Sequence, residues 1–194
     1  MSSYTFFGVQ VAIKNFFKDP LRQNLHKLIN DNAHSQTLVQ KRAFWKSFCA
    51  LLNESMPVFE RGHWDLVRGD NAEGEFETWS SELEGAAATE AEELSHAADD
   101  VHRTSAAQQY VLVTLMFLVE AGSNADITLG ERCAIKESDF FTRATFARLI
   151  ATPPLLNFAN VQADAVYLMP GSDRDGLSAD DLADPGYDYL NPLE

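Results

Sequence analysis

The chain has 194 residues, of which 45% are hydrophobic and 23% charged, and a formal net charge of −14. That composition belongs to a globular protein and excludes a disordered or collagen-like chain. The acid excess argues against nucleic acid or an anionic membrane as partner, since such binding relies on Lys and Arg releasing counterions.

The longest apolar run, Tyr110–Val119, has ten residues, Thr114 among them, short of the roughly 18 that a membrane span needs. The first residues lack the basic start and small-residue cleavage site of a secretory leader. A soluble, cytoplasmic, single α+β domain over residues 1–194 is therefore expected, long enough to bury one sizeable core.

Near the start, Val9, Val11 and Ile13 alternate with Gln10 and Ala12, which predicts a half-buried strand. Asp19-Pro20 then reads as an N-cap followed by proline at the first helical position, with Leu21, Leu25, Leu28 and Ile29 at helical spacing over 20–30. Ser35 is the expected cap of a longer helix over 36–55, whose broad stripe runs through Leu38, Val39, Trp45, Phe48, Cys49 and Leu52. His63–Val67 suggests a short strand.

Residues 69–102 hold eleven acids and no Lys or Arg. Within this acidic helical segment, 70–103, Phe76, Trp79 and Leu83 anchor one helix and Gly85 interrupts it. Thr89 to Glu92 is a capping-box pattern that opens a second helix to about 103. Both are expected to lie as an outer acidic layer.

Tyr110–Glu120 is apolar on both faces, the pattern of a central strand covered on two sides. Ile127–Ile135 reads as an edge strand or loop. Ser138 is the expected cap of a helix over 139–151, which Pro153-Pro154 stops. Residues 161–169 form the last strand, Ser178 to Asp181 starts one helical turn, and Asp184-Pro185-Gly186 ends it. Strands and helices must cover one another, so a small, mostly antiparallel sheet of three to five strands packed against helices is expected.

Val9–Ile13, Tyr110–Ala121, and the closing stretch Val166–Pro170, Leu177–Leu182 and Tyr187–Leu193 together resemble the DUF1517 family. The resemblance implies an opening strand, a central strand, and a closing strand that leads through a Leu-Ser-x-Asp turn into a short tail. Asp181 stands where the family pattern has Glu, and Asp184-Pro185-Gly186-Tyr187 departs from it in the tail. Some relatives are membrane-attached, whereas no anchor is expected here. The resemblance carries no catalytic residues over.

The densest polar cluster is His96, Asp99, Asp100 and His102. On a helix His96 and Asp100 share a face, as do Asp99 and His102, and each pair could supply two metal ligands. His63 is the candidate for a third, giving His63, His96 and Asp100 as a possible metal set. Asp173-Arg174-Asp175-Gly176 resembles the middle of an EF-hand loop, but its first and twelfth positions fall on Gly171 and Leu182, so the cage cannot close. No GxSxG, GxGxxG, GxxxxGK[ST] or HExxH pattern occurs. The two cysteines form no CxxC pair. Cys49 reads as a core thiol, and Cys133 as a thiol that Arg132 would acidify if exposed. No cofactor is implied.

Two functional readings remain. The first is a non-enzymatic interaction module, with Trp64, Trp79, Glu82, Glu92 and Glu93 meeting a basic protein, or self-association through a sheet edge. The alternative is a small enzyme or metal- or ligand-binding protein with a pocket at the helix–sheet junction around His63, His96 and His102, joined by Cys133 and Arg132.

Overall fold

The computed structural model describes residues 3–14, 20–32, 37–96, 109–171 and 176–194, the side chains of 86–96 excepted. Five strands, β1 (Tyr4–Lys14), β2 (Phe59–Gly69), β3 (Tyr110–Glu120), β4 (Val161–Met169) and the two-residue β5 (Asn191–Pro192), pair antiparallel in the order β4-β3-β1-β2-β5. The fold is α+β. Helices α1 (Leu21–Asn32), α2 (Leu38–Glu54), α4 (Asn124–Cys133) and α5 (Arg143–Ile150) pack on one face of the sheet, and α3 (Ala72–His96) with the C-terminal segment packs on the other.

Strand alternation sorts the core into two halves. Phe7, Val9, Val11 and Ile13 of β1 and Val111 to Val119 of β3, taken at odd positions, meet Leu25, Trp45, Phe48, Leu52, Leu129 and Phe146. Phe6 and Ala12, with Leu112, Met116 and Leu118, meet Leu83, Leu182 and Leu190, with Phe76 and Trp79 packed alongside. Every residue of β1 from Thr5 to Ile13 is buried, so this strand is covered on both faces, not half-buried as the alternation with Gln10 and Ala12 suggests. Gln10 is accommodated because its Nε2 donates to Thr114 Oγ1 at 2.8 Å on the neighbouring strand, which satisfies a polar group that would otherwise be costly to bury.

The structure moves several expected boundaries. Thr37, not Ser35, caps α2. Its hydroxyl accepts from the Gln40 N–H while the Gln40 side chain reaches back to the Thr37 N–H, a reciprocal capping box; Ser35 lies outside the described residues, as does Asp19. The short strand at His63–Val67 extends over eleven residues. Ile127–Ile135 is neither strand nor loop. Ser123 caps α4 there, and Ala125, Leu129 and Cys133 bury a stripe at four-residue spacing. Thr142, not Ser138, caps α5, after a separate 3-10 turn over Glu137–Asp139. Asp184 ends the 3-10 turn Asp181–Ala183, as expected, and its side chain also caps the next one, Pro185–Tyr187.

α3 runs without a break through Gly85. An added Cβ at Gly85 would meet no atom within 4 Å. Gly85→Ala is therefore expected to raise stability by about 0.5–1 kcal/mol, the helix-propensity gain of an unhindered interior site. A higher urea midpoint with an unchanged slope is the check.

Candidate functional site

On the α3 side of the sheet, a cleft of about 550 Å³ opens between the helix and the returning C-terminal segment. Antiparallel register builds its floor: Gln10 on β1 faces His63 on β2 and Thr114 on β3, and Leu112 and Met169 extend the floor towards β4. One wall is α3, with Trp79, Glu82 and Leu83. The other is Gly186, Tyr187 and Tyr189, carried on a segment pinned at both ends by the buried Leu182 and Leu190. A hydrogen bond from Arg61 Nη1 to the Leu182 carbonyl at 3.0 Å fixes one of those ends to β2.

Trp79 holds the helix against the sheet. Its ring lies 5.3 Å from Phe6 in an edge contact, over the bare Cα of Gly8, where a Cβ would come within 2.9 Å of the indole. Its Nε1–H donates to Glu75 Oε1 at 2.9 Å. The His63 ring sits between two aromatics, 5.7 Å from Trp79 and 5.5 Å from Tyr189. The Tyr189 hydroxyl hydrogen-bonds the Gln10 carboxamide, and burial pushes its pKa up to about 12, Tyr187 and Glu82 adding to the rise and Gln10 opposing it. Tyr189 nevertheless keeps 43% of its surface open, because its ring forms the rim of the cleft. Glu82 is exposed beside it.

Burial lowers the His63 pKa from its ordinary 6.5, against the opposing pull of Asp65 and Glu75. The imidazole is therefore neutral at pH 7. Its surroundings are Asp65 on its own strand, Gln10 on β1, Glu75, Trp79 and Glu82 on α3, and Tyr189 on the C-terminal segment. Below its ordinary pKa of 6.5 the unfolded chain binds a proton that the folded chain resists, so this group's contribution is complete above that pH and lost as pH falls towards the lowered folded value. The urea midpoint is expected to fall more for the wild type than for His63→Gln between about pH 7.5 and about pH 5.5. Parallel falls in the two proteins would contradict it.

The structure thus brings His63, Trp79 and Glu82 into one place and adds Gln10, Tyr187 and Tyr189. Trp64 is on the opposite face of the sheet, packed 5.4 Å from Phe140 with its Nε1–H donating to the Phe140 carbonyl at 3.2 Å. The backbone of α3 reaches His96, but the side chains of His96, Glu92 and Glu93 lie outside the described residues, as do Asp99, Asp100, His102, Asp173 and Asp175. Among the described residues no group of three or more His, Cys, Asp or Glu side chains could hold a metal ion.

Cys133 lies in the core on the α4 side, away from the cleft. Burial pushes its thiol up to about 12 despite Arg148, Arg68 and Arg132 nearby. Arg132 is occupied by the Thr152 hydroxyl and the Arg148 carbonyl. Cys49 is buried and its thiol is likewise pushed up. On the same face Asp126 accepts from the Thr5 hydroxyl, the Gly122 N–H and Arg68. Burial would raise its pKa, but those donors together hold it below the usual carboxylate range, so the group serves as a tie between β1, β2 and the start of α4.

Sequence reasoning missed Gln10, Tyr187 and Tyr189. A glutamine inside an otherwise apolar strand was the available signal for the first. The two tyrosines sit in a Pro- and Gly-rich tail that has no periodicity to read. No family model, curated protein or solved structure matches the chain.

Proposed function

We propose that the protein binds a small organic ligand in the cleft between α3 and the C-terminal segment. The observation that supports this reading is the cleft itself. Its volume of about 550 Å³ falls in the range of ligand sites, roughly 300–1,000 Å³. Apolar lining from Leu83, Leu112 and Met169 is joined by a few converging polar groups, Gln10, His63 and the tyrosines, the composition that fixes a ligand's orientation without a large desolvation cost. The test is an NMR screen of the labelled protein with a fragment library. Binders are expected to shift the Trp79 indole and the Gln10 side-chain amide together. A library that moves neither sinks the reading.

A second reading is favoured by exposed acids on both flanks of α3, Glu73, Glu77 and Glu84 on one and Glu82, nearer Trp79, on the other. This acidic helix surface would meet a basic protein, and long-range charge would make the encounter fast and salt-sensitive. Capture of a partner at low salt that Glu73→Lys with Glu77→Lys abolishes is the expected result. Capture that survives this reversal overturns it.

A further inference from the structure

We infer that the ligand of the cleft is an organic cation, an ammonium group carried on an apolar body. The inference rests on the reading of the cleft as a ligand site and adds the chemical class. Among the side chains lining the cleft, Glu82 is the one carboxylate, and none is Lys or Arg. The rest of the lining is aromatic side chains and an apolar floor. The faces of Trp79 and Tyr189 present negative π density, which attracts a cation lying within about 6 Å of the ring centre.

One further feature pushes the same way. Trp79 gives its indole N–H to a carboxylate, Glu75, at 2.9 Å, and an anion at the ring edge makes the indole face more electron-rich. An anionic ligand would meet Glu82 with no opposing charge. A neutral ligand could use the floor and stack on the rings, but would draw nothing from Glu82. A cation with an apolar portion uses all three elements, its body on Leu112 and Met169 and its charge between the rings and Glu82.

The experiment titrates three ligands of one skeleton, benzylammonium, benzyl alcohol and benzoate, into the full-length protein, read by calorimetry and by the Trp79 indole resonance. Benzylammonium is expected to bind about fivefold to tenfold more tightly than the alcohol, the size of a partly exposed cation–π contact assisted by one carboxylate. Benzoate is expected to bind most weakly. Glu82→Gln, an exposed position that leaves the fold untouched, should weaken benzylammonium about threefold and leave the alcohol unchanged. Added salt should likewise weaken only the cation. Alcohol or benzoate binding as tightly as the amine, or Glu82→Gln shifting all three alike, overturns the cation class while the cleft remains a ligand site. If none of the three moves the Trp79 resonance, the cation class fails. If the fragment library also moves neither marker, the cleft reading fails with it.

Discussion

Trp45→Ala is expected to destabilise the protein by about 3–5 kcal/mol, the cost of removing a large aromatic from a close-packed core. Trp45 is fully buried on α2. Its ring lies 4.5 Å from Phe117 on β3 and 6.0 Å from Phe48, and Phe44 packs 5.1 Å away. It also carries a polar tie: Nε1–H donates to Asp164 Oδ2 at 3.0 Å, while Lys41, one helical turn earlier, pairs with the other oxygen of the same carboxylate. Truncation therefore opens a cavity against β3 and removes a hydrogen bond that secures α2 to β4, the outermost strand on that side. Trp45→Phe retains a ring and Lys41 but loses the donor, and should cost about 1–2 kcal/mol. Urea denaturation of the pair separates the two contributions. A Trp45→Ala loss below about 1 kcal/mol would show that the layer closes over the gap. Because Trp45 is on the face opposite the cleft, ligand affinity measured on the folded variant should not change.

Much of the fold was legible because hydrophobic pattern reports burial. The apolar run from Tyr110, interrupted only by Thr114, predicts a strand covered on both faces, and β3 has those bounds. Val161–Met169 is equally direct. The errors have one origin, local residue preference overridden by packing. Ile127 and Thr128 favour a strand when read alone, but the Ser123 cap and the Ala125, Leu129 and Cys133 stripe win. Gly85 predicts a helix break, yet it lies on the open side of α3, where its only penalty is propensity.

The site was legible only in fragments. The sequence points to His63 as a metal ligand or a member of a pocket at the helix–sheet junction, and to Trp79 and Glu82 as partner contacts, residues from unrelated roles. What unites them is strand register, Gln10 opposite His63, and the return of a tail more than 100 residues downstream of α3's start. Neither is a local property, so no motif could announce the cleft. The even positions of β1 carried the one hint. Gly8 and Gln10 interrupt the apolar run on a single face, and that face is where α3 approaches closely and the polar floor lies.

Gly8→Val is expected to strike fold and site together. A Cβ at this position would lie 2.7 Å from Phe6 Cζ and 2.8 Å from Trp79 Cζ3. Phe6 is fully buried and cannot retreat, so the strain falls on Trp79, whose ring is half-buried and can swing only outward. That movement breaks its hydrogen bond to Glu75 and separates it from His63, which opens one wall of the cleft. Overpacking of a central strand costs about 2–3 kcal/mol, and the loss of an aromatic wall should lower cleft affinity at least about tenfold. Gly62→Val supplies the contrast. Gly62 is the neighbour of His63 on β2, but its added Cβ would strike Phe146 on the opposite face. It should cost comparable stability and leave affinity in the folded protein unchanged, since Phe146 does not border the cleft. Two glycines only a strand apart thus separate the roles of the two faces. A Gly8→Val protein of wild-type stability that binds as before would mean that α3 is not seated on β1 through Trp79.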